Sequence, residues 1–185
     1  MWLNDFILSK GEKDEELNKV IDLFKNIQGI MTHMYEGSEK HSKSRQSMVR
    51  NFSGYSPMIG IIKDGVFHLQ TALTDPTFPE EKKQKLLEMF TLSHSSLASF
   101  CVDNPTNQKL LSADFNLFLS NLNIDMGQIP LICEICRDNK FICESFGDVI
   151  IDGIMKAIVQ YGRKASFLDP LAVKSLLLYY LTIYI

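Results

Sequence analysis

The sequence lacks any uninterrupted apolar run of the roughly 18 to 20 residues that a helix needs to cross a membrane. Its most apolar stretch is the C-terminal LAVKSLLLYYLTIYI, which is only about 15 residues long and is interrupted by Lys174. The N-terminal MWLNDFILSK has neither the basic start nor the continuous apolar run of a secretory signal peptide. We therefore expect no direct membrane insertion and a cytoplasmic location.

An excess of positive charge is also missing, because 19 Lys and Arg residues stand against 22 Asp and Glu residues and the net charge is −3. This balance argues against general nucleic-acid binding, although a local basic patch is compatible with it. Only four cysteines occur, and without a secretory leader they indicate a reducing compartment. Apolar residues make up 45% and charged residues 22% of the chain, which is typical of a globular protein with its own core.

Motifs of known catalytic sites are absent as well. The chain contains no Walker-type phosphate loop, no HExxH, no GxSxG and no carboxylate pair in an apolar setting. Cys101 and His94 are a conceivable nucleophile and base, but seven residues on one helix separate them by about 10 Å, beyond hydrogen-bonding reach. We therefore expect that the protein is not an enzyme and that it holds no cofactor.

What the sequence does contain is apolar residues at helical spacing, interrupted at short intervals by Asn, Asp, Gly and Pro. Pro105 in the run DNPT is placed to begin a helix, and Gly162 is placed to end one. The two prolines of DPTFP forbid a continuous helix through that segment. The pattern predicts an all-α stack of seven to nine helices with a core from Leu17 to Leu178. The predicted helices span residues 12–35, 80–101, 106–111, 115–121, 131–137, 141–146, 146–160 and 166–185, with loops at 36–43, 75–79 and 123–130.

Residues Ser56–Leu73 are ambiguous by local rules. Asp64 and Gly65 lie between apolar runs, which is a good hairpin signal. The apolar residues on either side do not alternate cleanly, however, so a helix is the competing interpretation.

Four basic residues cluster after the first predicted helix, namely Lys40, Lys43, Arg45 and Arg50. One interpretation is a contact site for an acidic partner, salt-sensitive because it depends on exposed charge. The other is a solvated loop and helix face, which is the commoner fate of such a charge run.

The remaining cluster is Cys133, Cys136 and Cys143. A closed structural zinc site usually takes four ligands as two paired hooks, and only one CxxC hook is present. A redox motif should follow a strand, and no alternation of strands and helices surrounds this one. Because apolar residues flank all three thiols, we expect them to fill core positions, where free cysteine acts as a small apolar residue.

Several short segments resemble the RIH domain, the homology domain shared by inositol trisphosphate receptors and ryanodine receptors. The similarity covers roughly residues 45–171 and is nearest to the central helical modulatory region of inositol trisphosphate receptors. The segments that carry it are Phe100-Cys101, Asn104, Asn107-Gln108, Leu110-Leu111, Asn116 to Leu119, Asp138-Asn139, Phe141, Cys143 to Ser145 and Tyr161 to Leu168.

The resemblance implies an armadillo-like α-solenoid, with residues 45–185 as one RIH-like domain and residues 1–44 as a preceding helix and polar basic loop. It also favours a helix at Ser56–Leu73. In the family this domain lies on the cytosolic side of a calcium-release channel of the endoplasmic reticulum and relays ligand occupancy toward the pore. The resemblance therefore implies a non-catalytic scaffold or coupling module whose partners are proteins, including other domains of a larger channel.

One departure from the family pattern bears on ligands. The family's ligand-binding copy of this domain has a Tyr-Arg-Lys triplet before the Asn-Gln pair, whereas this chain has Asn104, Pro105 and Thr106. Because a polyphosphate needs several cations to offset its charge, we expect no inositol phosphate binding here. The sequence also shows no β-trefoil and no pore helix. The apolar C-terminal helix indicates either packing back onto the chain or continuation into a longer solenoid, and the second is favoured.

Two other functions stay open on the sequence. In the first, the chain is a free-standing cytosolic adaptor for protein interactions. In the second, it is a small zinc or redox protein that uses Cys133, Cys136 and Cys143.

Overall fold

The computed structural model describes residues 15–32, 39–162 and 164–172. Their secondary structure consists of α-helices connected by short turns, with one 3₁₀ turn at Ala165–Leu168. The helices are α1 (Glu15–Thr32), α2 (Glu39–Asn51), α3 (Ser56–Thr74), α4 (Glu80–Cys101), α5 (Pro105–Ser112), α6 (Phe115–Phe118), α7 (Gln128–Cys136), α8 (Lys140–Tyr161) and α9 (Asp169–Ala172).

The predicted all-α, solenoid-like fold is confirmed, since the described residues contain no β-strand and their helices number within the predicted seven to nine. Within the same residues, no helix combines the length and the apolar character that crossing a membrane would require. The C-terminal run from residue 173 onward, including Leu178, lies outside the described residues.

The ambiguous segment Ser56–Leu73 is a helix, α3, as the resemblance implied, and the hairpin interpretation is wrong. Met58, Ile62, Val66 and Leu69 are all buried, and their spacing of four, four and three residues places them on one helical face. Gly65 lies on the same buried side, so the glycine that suggested a turn is instead a small residue inside a packed helix.

Helix α4 is the centre of the fold, because α1, α3 and α7 all pack along it. Its observed bounds, Glu80–Cys101, are those predicted from the sequence. The preceding break is also confirmed, with the Asp75 carboxylate accepting a hydrogen bond of 2.7 Å from the backbone N–H of Thr77. Polar side-chain contacts also join α1 to α4, among them the Lys25–Glu88 ion pair at 2.7 Å and the Gln28–Ser95 hydrogen bond at 3.1 Å.

One continuous apolar core runs from Leu17 in α1 to Phe167 in the 3₁₀ turn. Its largest fully buried side chains include Phe24, Phe90, Phe100 and Phe118. The first helix therefore shares its core with the rest of the described chain. The division into residues 1–44 and 45–185 stays a prediction.

Some element boundaries predicted from the sequence are wrong. Helix α2 begins at Glu39, inside the predicted loop 36–43, and α7 begins at Gln128, inside the predicted loop 123–130. The predicted helices 141–146 and 146–160 are one helix, α8, because its buried residues form a single stripe without a break. That stripe consists of Ile142, Cys143, Gly147, Ile150, Ile151, Ile154 and Ala157.

Gly153 has a packing role within α8. A Cβ at this position would lie 2.8 Å from Cδ1 of Leu119, which is closer than real Cβ contacts. The absence of a side chain thus lets the turn after α6 approach α8. The predicted end of α8 is confirmed, because Gly162 adopts a φ of +83° directly after Tyr161, a conformation that favours glycine.

Candidate functional site

A buried glutamine of α2 holds the junction between α4 and α5. The Nε2 group of Gln46 donates hydrogen bonds to the backbone carbonyls of Ser99, at 2.9 Å, and Val102, at 3.0 Å. Its Oε1 accepts a hydrogen bond of 2.9 Å from Nδ2 of Asn104. Asn104 is the N-cap of α5, with its Oδ1 accepting from the backbone N–H of Asn107 at 3.2 Å. We call Gln46, Ser99, Val102 and Asn104 the Gln46 clamp.

A second glutamine holds the junction between α7 and α8 in the same way. Nε2 of Gln108 donates to the carbonyls of Glu134 and Arg137, both at 3.0 Å. Its Oε1 accepts from Nδ2 of Asn139 at 2.9 Å. Asn139 in turn caps α8, with its Oδ1 accepting from the N–H of Ile142 at 3.3 Å. We call Gln108, Glu134, Arg137 and Asn139 the Gln108 clamp.

The two clamps are equivalent in sequence and in backbone conformation. Each junction carries Cys-x-Asp-Asn, at residues 101–104 and again at 136–139. In both copies the Asp has a positive φ, 49° at Asp103 and 50° at Asp138, which turns the chain out of one helix and into the next. In both copies the glutamine donates to two backbone carbonyls at the end of a helix, where intrahelical partners run out. The carbonyl of Glu134 also accepts from the backbone N–H of Arg137, at 3.3 Å.

Helix α5 connects the clamps. Its N-cap, Asn104, is held by the first clamp, and one helical turn later Gln108 forms the second. A rotation or shift of α5 would therefore disturb both junctions. Between them, Asn107 is fully buried and its Nδ2 donates to the carbonyl of Phe100 at 2.8 Å.

Three of the four basic residues predicted to contact an acidic partner have described side chains, and their surroundings differ. The contact itself stays a prediction. Arg50 turns inward, and its Nη1 donates to Oδ1 of Asn107 at 2.7 Å. Arg45 is half-buried and donates to the carbonyl of Ile30 at the end of α1, at 3.3 Å. Lys43 is exposed. Lys40 lies in the first turn of α2. Of these three cations with described side chains, Lys43 is thus the one most available to a partner.

Helix α2 is attached to the array mainly through polar contacts. Only Gln46 and Val49 of its described side chains are buried, while Ser42 and Arg45 donate to carbonyls at the end of α1. Because α2 buries little apolar area, these hydrogen bonds largely determine its position, whereas α4 is held mainly by apolar packing.

The three clustered cysteines lie in the core, as predicted, with Cys133, Cys136 and Cys143 all buried as free thiols. Burial raises the pKa of Cys133 to about 11. A hydrogen bond with Cys143 and burial together raise the pKa of Cys136 far above its usual range. Neutral, buried thiols such as Cys133 and Cys136 are poor nucleophiles. The same hydrogen bond with Cys136 lowers the pKa of Cys143, against the opposing effect of burial. In the part of the chain that the structure describes, no three His, Cys, Asp or Glu side chains gather closely enough to hold a metal ion.

The Cys101–His94 pair is also buried in α4. Burial lowers the pKa of His94 to about 4, only partly opposed by the hydrogen bond of 2.8 Å between Nδ1 and the carbonyl of Phe90. Burial also raises the pKa of Cys101 far above its usual range. A neutral imidazole that donates to its own helix and a neutral thiol are core groups, which agrees with the predicted core position of His94.

Sequence reasoning identified Asn104, Asn107, Gln108 and Asn139 only through the resemblance, and it missed Gln46. The signal that would have found the clamps is the repeated Cys-x-Asp-Asn, which marks two equivalent junctions 35 residues apart. Gln46 itself carries no local signal, because its partners lie 53 to 58 residues further along the chain.

Comparison with known proteins gives one family. The model of the RIH domain matches residues 14–173, and so includes α1 as well as the segments from residue 45 onward. No solved structure matches the chain significantly.

Proposed function

Because the chain belongs to the RIH domain family, we propose that it is a non-catalytic helical module that couples a contact at its surface to the orientation of successive helices. The observation that supports this function best is the pair of equivalent clamps joined by α5. In this proposal the module serves as the regulatory solenoid of a larger calcium-release channel on the cytosolic face of the endoplasmic reticulum. It binds proteins and not nucleic acid or inositol phosphate.

The route of coupling begins at α2. A partner that displaces α2 would move Gln46 and so loosen the Asn104 N-cap of α5. Helix α5 would then carry Gln108 with it and release the carbonyls of Glu134 and Arg137. Energetic coupling of this kind requires contiguous contacts with alternative arrangements, and the two clamps form a contiguous set.

The partner is proposed to present an acidic surface to the segment from Lys40 to Arg50, with Lys43 as the main described contact. Arg45 and Arg50 contribute in a different way, because each is already hydrogen-bonded to another part of the array. An acidic group that drew Arg50 from Asn107 would leave a fully buried amide without this partner. The position of α2 would thereby respond to binding.

Hydrogen exchange at α8 tests this coupling. We expect Gln46→Ala to accelerate exchange of the Ile142 amide, which donates to Asn139 in the other clamp, by about tenfold, the effect of losing about 1.4 kcal/mol of local protection. The reason is that α5, no longer held at Asn104, moves Gln108 away from the α7–α8 junction.

The matched control is Gln28→Ala, which removes one hydrogen bond between α1 and α4 but touches neither junction. This substitution should leave the exchange rate of the Ile142 amide unchanged. If Gln46→Ala accelerates exchange only near Asn104 and leaves Ile142 protected, the clamps are local fastenings, and the adaptor function without internal coupling is the better account.

A further inference from the structure

The turn between α2 and α3 presents a serine hydroxyl to solvent. Asn51, Phe52 and Ser53 are all exposed, Phe52 to 81%. Ser53 has a φ of +53°, the left-handed conformation that ends many helices, and its backbone N–H donates to the carbonyl of Arg50 at 3.0 Å. Among the described residues, no hydrogen bond holds the Ser53 hydroxyl. This side chain is therefore accessible to a modifying enzyme.

The sequence before Ser53 is one that an arginine-directed protein kinase recognises. Arg50 stands three residues before Ser53, and kinases select their substrates by charge patterns of this kind. Ser166 is the one other serine or threonine of the sequence with an arginine, Arg163, at the same spacing. The residue after it, Phe167, is buried, so a kinase that takes its substrate in extended form must pull an aromatic ring from the core. The residues on either side of Ser53 bury no side chain.

Arg50 also connects this turn to the helix that joins the two clamps. Its Nη1 donates to Oδ1 of Asn107 at 2.7 Å, and Asn107 is fully buried in α5. A phosphate on Ser53 carries nearly two negative charges and three acceptor oxygens, three residues from Arg50. Because both members of an arginine–phosphate pair are charged, that pair is stronger than the present bond to a neutral amide. The phosphate would therefore compete with Asn107 for the guanidinium.

A charge on Ser53 acts on α2 in a second way. Ser53 follows the C-terminal end of this helix, where the helix dipole places partial negative charge. A phosphate at such an end is repelled and weakens the last helical turn. Only Gln46 and Val49 of the described side chains of α2 are buried, so little apolar packing opposes the change. Both effects loosen the helix that carries Gln46.

From these contacts we infer that Ser53 is a phosphorylation site for an arginine-directed protein kinase, and that its phosphate releases α2 from α5 by capturing Arg50. In the reaction the Ser53 Oγ attacks the γ-phosphorus of ATP, and the bond between that phosphorus and the bridging oxygen of ADP breaks. The hydroxyl proton passes to the catalytic carboxylate of the kinase. The inference rests on the proposed coupling function, for which it supplies a regulatory input at α2.

Phosphorylation of the folded full chain tests the site. The chain is incubated with ATP, Mg²⁺ and a purified serine kinase whose activity has been confirmed on a standard Arg-x-x-Ser peptide. Peptide mass spectrometry then locates the phosphoryl groups. We expect one on Ser53, and the Ser53→Ala chain should lack it. A folded chain whose Ser53 stays unmodified, including one that is modified at Ser166 alone, would overturn the inference.

Hydrogen exchange of the same samples tests the capture of Arg50. The backbone amide of Asn107 donates to Oδ1 of Asn104, and we expect phosphorylation to accelerate its exchange by about tenfold, near the lower limit for losing a hydrogen bond to a charged group. The Ser53→Ala chain treated with the same kinase is the matched control, because it reports modification elsewhere. Its Asn107 amide should exchange at the original rate. A chain phosphorylated on Ser53 with an unchanged Asn107 amide would contradict the inference.

The Ile142 amide separates this inference from the proposed function. Faster exchange at Asn107 without faster exchange at Ile142 supports the phosphorylation site and contradicts transmission to the second clamp. If Ser53 does not react, the inference fails, while the Gln46→Ala experiment still measures transmission because it needs no kinase.

Discussion

Replacing Phe90 by alanine is expected to lower the free energy of unfolding by about 3 to 5 kcal/mol, the range for truncating a fully buried aromatic residue. Phe90 is fully buried in α4, the helix on which α1, α3 and α7 pack. The cavity left by the ring therefore faces the centre of the core, where the surrounding helices cannot all close around it. Urea unfolding followed by circular dichroism measures the change.

Phe67→Ala is the matched control, because the same substitution is made on a ring that is 73% exposed on α3. It should change the stability by no more than about 0.5 kcal/mol, as expected at a surface position. Equal losses for the two variants would contradict the central position of α4 in the core.

Gln108→Ala is expected to lower the free energy of unfolding by about 3 kcal/mol, since each buried polar group left without a partner costs about 1 to 3 kcal/mol. The substitution leaves the carbonyl of Arg137 and the Nδ2 group of Asn139 without their present partner, while the carbonyl of Glu134 keeps its bond from the backbone N–H of Arg137. Water that enters the cavity would recover part of the loss. The same urea titration measures it.

The matched control for this change is Gln84→Ala, on the exposed face of α4, where the glutamine bonds only to Glu80 one turn away. A loss of at most about 0.5 kcal/mol is expected, because both groups are solvated when separated. If Gln108→Ala cost no more than Gln84→Ala, the clamp would have no energetic importance and the proposed coupling would lose its basis.

The helices whose ends carry their own signals were predicted well. Helix α4 begins after two prolines and was predicted at its observed bounds, and Gly162 marks the end of α8. In contrast, local signals around Asp64 and Gly65 left a hairpin and a helix both open, and burial of one face of α3 decides for the helix. Local rules fail there because the stabilising contacts are with α4, a different part of the chain.

The candidate site was much less accessible from the sequence. The basic run suggested either a contact with an acidic partner or a solvated face, and it carried no signal for the contacts that Arg50 and Arg45 make with Asn107 and Ile30. Gln46 stands among charged residues and resembles any solvated helix position. Its burial follows from carbonyls at the end of α4, which only the folded arrangement brings near. Helical periodicity therefore predicted the core of this protein, while the polar contacts that join its helices required the structure.

The most direct measurement of the coupling is a double-mutant cycle on the unfolding free energy with Gln46→Ala and Gln108→Ala. The two glutamines share no hydrogen-bond partner, so independent clamps would give losses that add to within about 0.5 kcal/mol. Because α5 belongs to both junctions, we predict instead that the double variant loses less than the sum by more than about 0.5 kcal/mol. Additive losses would contradict the claim that the two junctions move together.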